Sequence, residues 1–374
     1  LYRNIAVKTR PDSTSAPARG DVIEITIEKV IFGGDGLARL PQGFVLFVPF
    51  AAEGDRVRVR ITERKAQHAR AEIVELLQPG AGRENPPCPY YGKCGGCQYQ
   101  HLTYAEECRL KEMQVKEAFA RVGKLPDAPI RPLISSPLAY GYRNRITVHA
   151  EGGRVGFRSV NGRDLVDIRE CLLARPDVNT QLTKLRESRP ADGHYSLRDA
   201  TVPPSGFFQA NHELRDRLRE LVQGALPERG KTLLEGYCGG GFFTADIAAR
   251  FDRVIAVDND PRTLLDARRL NLRNVDWRDG DAAFVLPEEL RALSETTGSE
   301  TSVLLDPPRE GLPVRLAEAL CLDPVAHLAY VSCDPATLAR DARMLSKTYR
   351  LVSVQPIDLF PRTAQIECVS VWAK

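Results

Sequence analysis

The sequence predicts a chain in three structural parts. These are a small antiparallel β-barrel near the N-terminus, a central segment built around a cysteine cluster, and a C-terminal α/β domain whose parallel sheet is covered by helices. Three observations carry this reading. At 374 residues the chain is longer than one hydrophobic core usually organises. From Asp21 to about Pro79, short runs alternate apolar and polar residues between turn signals, the pattern of half-buried antiparallel strands. From about Ser205, buried-type apolar strands alternate with amphipathic helical stretches, which is how helices cover a parallel sheet.

Composition sets bounds. Lys and Arg total 52 against 49 Asp and Glu, a formal net charge of +3, so charge alone does not mark a nucleic-acid binder. No apolar run approaches the roughly 18 to 20 residues that span a bilayer, and the opening LYRNIAVKTRPDSTSAPARG lacks the apolar centre of a secretory signal. The expectation is a cytoplasmic, membrane-free monomer whose residues 1–20 form a disordered tail with no catalytic group.

Residues 21–79 are expected to form the barrel. Its strand-like runs are VIEITIEKV, GFVLFVPF, RVRVRITERK and ARAEIVELL, separated by Gly33-Gly34-Asp35-Gly36 and Glu53-Gly54-Asp55. Small barrels of this OB-like kind commonly grip single-stranded or looped RNA on one sheet face.

Residues 80–205 hold Cys88, Cys94 and Cys97, flanked by Pro87, Pro89 and Gly95-Gly96. Nine cysteines in a cytoplasmic chain argue for metal or catalytic roles rather than a disulfide framework. Three thiolates so close suit zinc or an iron–sulfur cluster, with one further ligand required. A helix is expected over 104–123 (YAEECRLKEMQVKEAFARVG), packing on the C-terminal domain, with Cys108 structural within it. RNRITVHAE and RVGFRSV read as strands, but no fold for this α+β segment follows from pattern alone.

Over 206–374, Asn211 opens the helix HELRDRLRELVQGAL, and KTLLEGY, RVIAVDND, TSVLLDPP and LAYVSCD are the strands. KTLLEGY runs into Cys238-Gly239-Gly240-Gly241-Phe242-Phe243, a loop in which glycines let backbone approach a ligand. Phe242, Phe243 and Thr244 then break the G-x-G-x-x-G fingerprint of a dinucleotide site. Methyltransferases need no pyrophosphate site, so Gly239 and Gly241 are assigned to S-adenosylmethionine, Asp258 to its ribose hydroxyls and Asp281 to the neighbourhood of its adenine, with an ordinary strand-to-helix turn as the alternative.

Cys333 ends a predicted strand, where open parallel sheets place their ligands. Its surroundings are specific. VSCDPATLARD, LLDPPREG at 304–311, DLFPRTAQIE at 358–367, the loop at 238–243 and GFFQAN at 206–211 together resemble the RNA 5-methyluridine (uracil-C5) methyltransferases of tRNA and large-subunit rRNA. The barrel resembles a TRAM domain, and with the cysteine cluster extends the likeness to nearly all of the chain.

The resemblance implies a Rossmann-like methyltransferase domain joined to a central α+β iron–sulfur domain and a TRAM barrel. It implies that Cys333 is a covalent nucleophile, that Glu367 is the base taking a carbon-5 proton, and that Asp306 lies between cofactor and uracil. Gln209 and Tyr237 match cofactor-contacting positions. Cys88, Cys94, Cys97 and Cys171 match the ligands of a four-iron cluster, with zinc the alternative. The implied substrate is a structured RNA, with a 23S rRNA uridine preferred over the T-loop of tRNA. Two positions depart from the family pattern: Phe242 stands where rRNA-directed members often carry Asn, and Glu235 replaces the usual Asp.

Three rival readings share parts of this pattern. Radical methylthiotransferases combine a TRAM barrel, a cluster and S-adenosylmethionine, but need a different cysteine spacing. RNA 5-methylcytidine enzymes use a second active-site cysteine, which the segment at 306–309 does not offer. A non-catalytic RNA-binding protein would have no use for Cys333, Glu367 and Asp306 together.

Overall fold

The computed structural model describes residues 17–41, 43–200, 209–294 and 300–374. The first 16 residues of the expected tail at 1–20 and part of GFFQAN therefore lie outside the described residues. Residues 17–20, which are described, are tied down: the Gly20 N–H donates to the Ile61 carbonyl at 2.8 Å. The chain divides into two compact units. One takes in the chain up to Lys111, Ile146–Leu197 and Pro361–Ala364; the other takes in Glu112–Arg145, Arg198–Phe360 and Gln365–Lys374.

In the first unit, a six-stranded sheet comprises β1 (Val22–Thr26), β2 (Lys29–Val30), β3 (Asp35–Arg39), β4 (Val45–Pro49), β5 (Arg56–Arg64) and β6 (His68–Gln78), in the order β1-β5-β6-β4-β3-β2. Strand alternation does the sorting: Val57, Val59 and Ile61 of β5 point into the core while Arg56, Arg58 and Arg60 point out. One pairing departs from the expected antiparallel pattern, because β4 and the start of β6 run parallel, with Val45 opposite His68. β5 lies in the connection between them, which makes it long enough for a parallel crossover.

Helix α1 (Tyr104–Ala118) follows and runs on from the first unit into the second. A second sheet, β7 (Arg145–Glu151), β8 (Arg154–Arg158), β9 (Leu165–Asp167) and β10 (Gly193–Arg198), has the order β10-β7-β8-β9. It buries Ile146, Val148 and Val155 against Val178 and Leu182 of α2 (Pro176–Glu187).

The second unit is doubly wound. After α3 (His212–Ala225) come β11 (Gly230–Gly236), α4 (Thr244–Ile247), β12 (Phe251–Asp258), α5 (Pro261–Arg268) and β13 (Val275–Asp279). Then follow α6 (Ala282–Ser294), β14 (Thr301–Leu305), α7 (Val314–Leu322), β15 (His327–Ser332), α8 (Pro335–Leu345), β16 (Arg350–Ile357) and β17 (Glu367–Ala373). The sheet order is β13-β12-β11-β14-β15-β17-β16. Asn211 caps α3 as its sequence position predicts, its side chain accepting the Glu213 and Leu214 N–H groups. Residues 119–123, continuing from α1, lie against α8: a Cβ on Gly123 would stand 3.0 Å from the Ala339 carbonyl oxygen.

The expectation of a parallel sheet holds from β11 to β15 and fails at one edge, where β17 runs antiparallel to both β15 and β16. Apolar runs look alike in either direction, so periodicity could not see this reversal. No helix among the described residues is long and apolar enough to cross a membrane.

Candidate active site

Strands β12 and β14 leave β11 on opposite sides, so a crevice opens at the carboxyl ends of the parallel strands, where such sheets bind ligands. Four expected site residues sit at those ends or directly beyond them: Tyr237, Asp258, Asp306 and Cys333. The reversed strand supplies a fifth. Because β17 runs the other way, its first residue, Glu367, lies at this same edge. Ser332 pairs with Cys368, so Cys333 and Glu367 each stand one residue beyond that pair.

The glycine loop turns sharply, with φ of +64° at Tyr237, +53° at Gly239 and +81° at Gly241. The Gly239 N–H donates to Asp258 Oδ2 at 2.8 Å, and Asp258 Oδ1 accepts from the Asp260 N–H at 2.9 Å, so the acidic strand end braces the loop. A Cβ on Gly239 or Gly240 would meet nothing within 4 Å, whereas one on Gly241 would stand 2.7 Å from Leu270 and 2.9 Å from Trp277. Gly241 is thus fixed by packing, and Gly239 and Gly240 floor open space into which a ligand can come close to backbone. Asp281 caps α6 by accepting the Ala283 N–H, and its charge, after burial, helps push the Tyr237 phenol up to about 12. Gln209 is buried just before α3, its carbonyl accepting from Asn144 Nδ2 at 2.9 Å.

The remaining groups are electrostatically bound together. Glu367 is buried, and desolvation plus the charge of Asp306 hold its carboxyl well above the usual range, opposed by Arg309. Burial also raises Asp306. The Cys333 thiol is pushed up to about 11, by desolvation first and then by Glu367, with Arg309 pulling the other way and Asp306 and Asp334 adding to the rise. Glu235, buried beneath the loop, is raised to about 8 by desolvation, although the Thr244 hydroxyl donates to its Oε2 at 2.7 Å. The structure therefore gathers Cys333, Glu367 and Asp306 into one field. It also adds Arg309, which lay in plain sight in the sequence without a spacing signal to single it out.

The four cluster cysteines belong to the first unit and are half-buried. Their two segments meet, since the Arg169 N–H donates to the Tyr90 hydroxyl at 3.0 Å and the Gly95 N–H to the Arg158 carbonyl at 3.0 Å. Yet among the described residues no group of three or more His, Cys, Asp or Glu side chains is arranged to hold a metal ion. The expected ligand set is therefore not assembled in these side-chain positions, although its donors are of the right kind and their segments are neighbours.

A strand, glycine loop and helix opening at the switch point of a doubly wound sheet are common to dinucleotide-binding and methyltransferase folds, and this loop lacks the dinucleotide fingerprint. The structure accordingly superposes on that of Pyrococcus abyssi tRNA (uracil-54, C5)-methyltransferase with a TM-score of 0.72, at 22% identity over 94% of this chain and all of the other. Residues 18–74 match the TRAM domain model, and residues 289–374 match the model for tRNA (Uracil-5-)-methyltransferase. A 23S rRNA (uracil(1939)-C(5))-methyltransferase of Chromohalobacter salexigens is 30% identical over 96% of this chain and 91% of its own length. A tRNA (uracil(54)-C(5))-methyltransferase of Schizosaccharomyces pombe is 28% identical over 94% and 78%. The chain belongs to the S-adenosylmethionine-dependent RNA uracil-C5 methyltransferases.

Proposed function

We propose that this enzyme methylates carbon 5 of a flipped-out uridine through a covalent adduct on Cys333, with a 23S rRNA uridine as substrate. The observation that carries the reading is the meeting of Cys333, Glu367 and Asp306 at the carboxyl edge of the sheet. Uracil carbon 5 is too weak a nucleophile to take a methyl group unaided. Cys333, as thiolate, adds to carbon 6; the carbon 5–carbon 6 π pair moves toward O4, and carbon 5 becomes nucleophilic. S-adenosylmethionine supplies the methyl group and leaves as the neutral thioether. Glu367 then takes the carbon-5 proton, the double bond re-forms, and the Cys333 thiolate is expelled. Asp306 orients the uracil.

The open floor at Gly239 and Gly240, braced by Asp258 with Tyr237 and Asp281 beside it, suits an adenosyl ligand. Gln209 is assigned a contact to the same ligand. The rRNA assignment follows the relative at 30% identity; the tRNA T-loop is the alternative that the relative at 28% keeps open. The TRAM barrel is assigned RNA binding outside the active site.

The test is methyl transfer from labelled S-adenosylmethionine to total RNA split into rRNA and tRNA, with products read as nucleosides by mass spectrometry. The expected result is 5-methyluridine in the rRNA fraction from the intact protein and none from Cys333→Ala. Label confined to tRNA would move the substrate to the T-loop, and activity surviving in Cys333→Ala would sink the mechanism.

For Cys88, Cys94, Cys97 and Cys171 we propose a four-iron cluster with a structural role. Donor chemistry and the meeting of their segments support it, and ligand side chains commonly settle only when metal binds. Anaerobic reconstitution followed by iron and sulfide analysis tests this. About four iron and about four sulfide per chain, lost in Cys94→Ser, are expected; about two of each, zinc alone, or no metal would overturn it.

A further inference from the structure

The turn that carries Arg309 is held from behind. Its backbone closes with the Gly311 N–H donating to the Pro308 carbonyl at 2.9 Å. On α8, Asp341 is buried, and its Oδ2 accepts the Leu312 N–H at 2.8 Å and the Tyr330 hydroxyl at 2.9 Å. Its neighbour Arg340 donates to Asp341 Oδ1 at 2.9 Å and, through Nη2, to the Glu310 carbonyl at 2.7 Å. The backbone is thus gripped on both sides of Gly311, immediately after Arg309. Gly311 makes the grip possible: its φ is +76°, and a Cβ there would lie 2.5 Å from Asp341 Oδ2. Asp341 is therefore not an ordinary buried ion-pair partner, because its second oxygen is spent on the loop rather than on a cation.

We propose that Asp341 is a positioning residue for methyl transfer: with Arg340 it holds the turn at 308–311 so that the Arg309 guanidinium stays beside Cys333 and Glu367. This rests on the reading of Cys333 as nucleophile. Arg309 itself is exposed, and nothing but the turn's backbone fixes where its side chain begins. The groups facing Cys333 are Glu367 from β17, Asp306 from the end of β14, Asp334 from the start of α8, and Arg309 from the turn, with the buried Cys368 thiol of β17 beside it. Three of these are acidic, so the single guanidinium favours the thiolate that must form, and a turn free to swing away would leave the acidic groups unopposed. Those facing Asp341 are Tyr330, Arg340 and, more weakly, Tyr237.

The test is alkylation of Cys333 by iodoacetamide in the full chain without RNA, followed across pH and read on the Cys333 peptide by mass spectrometry. In Arg309→Gln and in Asp341→Asn the thiol should titrate higher, giving about threefold slower alkylation at fixed pH below the midpoint, as expected when one screened opposite charge is lost. The double variant should be no slower than the slower single one. Tyr330→Phe and Arg340→Gln each remove part of the grip and should slow alkylation in the same direction by less, which keeps the test usable if Asp341→Asn does not fold. Wild-type alkylation in Asp341→Asn, or in both milder variants if it does not fold, would overturn the proposal. So would a full additive effect in the double variant, or an Arg309→Gln protein that alkylates normally. Methyl transfer surviving in Cys333→Ala would instead remove the nucleophile reading while leaving the alkylation result standing as a property of this thiol.

Discussion

The outer face of the barrel and the crevice of the seven-stranded sheet are built from the same charged residue types and use them in opposite ways. On the barrel, Glu24 lies opposite Arg58 and Glu72 opposite Arg60, with cross-strand bonds of 2.7 and 3.2 Å; Glu75 also pairs with Arg58. Water reaches these groups, and Arg58 beside Glu24 holds its carboxyl below the usual range. In the crevice, Glu235 and Glu367 are buried and raised, Asp306 is raised with them, and the guanidinium of Arg309 works against the shifts of Glu367 and Cys333. The lesson is that burial, not charge type, decides which carboxyls can exchange a proton near neutral pH. On the β1–β5–β6 face, Arg56, Arg58 and Arg60 are already matched by carboxylates.

The largest effect should come from Glu367→Gln, which keeps the shape and removes the proposed base. Addition to carbon 6 and methylation need no base at carbon 5, but resolution does. Turnover should fall by about a hundredfold or more, the usual share of a positioned general base. A methylated protein–RNA adduct should appear as a slow band on a denaturing gel. Normal turnover in Glu367→Gln would mean that another group takes the proton, and inactivity with no adduct would mean that Glu367 acts at or before addition to carbon 6.

Next in size is a pH effect on stability. Glu235 moves from 4.5 to about 8 on folding. Between those values the folded chain keeps a proton that the unfolded chain has released, so stability must fall as pH rises through that window. Urea unfolding at pH 5 and pH 8 should differ by on the order of a few kcal/mol, and the difference should shrink in Glu235→Gln. Asp306 and Glu367 act in the same direction. An identical pH dependence in Glu235→Gln would mean that Glu235 stays solvated.

A smaller loss is expected from Thr244→Val, which removes the buried donor to Glu235 Oε2 without much change in volume. Leaving that oxygen unsatisfied should cost roughly 1–3 kcal/mol in chemical denaturation, and should raise the Glu235 carboxyl further. Full stability in Thr244→Val would mean that water or another donor replaces the hydroxyl.

How much of this was legible in the sequence differs between the two regions for the same physical reason. The barrel strands could be read because alternation of Val57, Val59 and Ile61 with Arg56, Arg58 and Arg60 is a local, period-two signal. The glycine loop, the acidic end of β12 at Asp258 and the strand end at Cys333 were legible because strand, loop and helix are neighbours in sequence. Glu367 was reached through family resemblance, since a carboxyl at the start of an apolar run carries no local mark; only the antiparallel insertion of β17 brings it to Cys333. Asp341 and Arg309 were hidden for a related reason: one lies mid-helix and the other on a turn, and their connection through Leu312 spans 29 positions. The cysteine cluster shows the converse: Cys88, Cys94 and Cys97 stand close in sequence, yet among the described residues no three ligand-type side chains are arranged to hold a metal ion.

The smallest expected effect tests the barrel half of the comparison. Arg60 and Glu72 are partly exposed and 3.2 Å apart, in a setting where two side chains lose freedom to make a bond that water nearly matches. Arg60→Ala and Glu72→Ala should each lower stability by less than about 1 kcal/mol, and the coupling energy from the double variant should be smaller still and vanish at high salt. RNA binding, read as the salt dependence of affinity, should also be unchanged in Arg60→Ala, because an arginine already matched by a carboxylate releases little from the counterion atmosphere when phosphate arrives. A drop in the salt slope by about one would show instead that this arginine leaves Glu72 to meet the RNA, and that the barrel's paired face is a binding face in waiting.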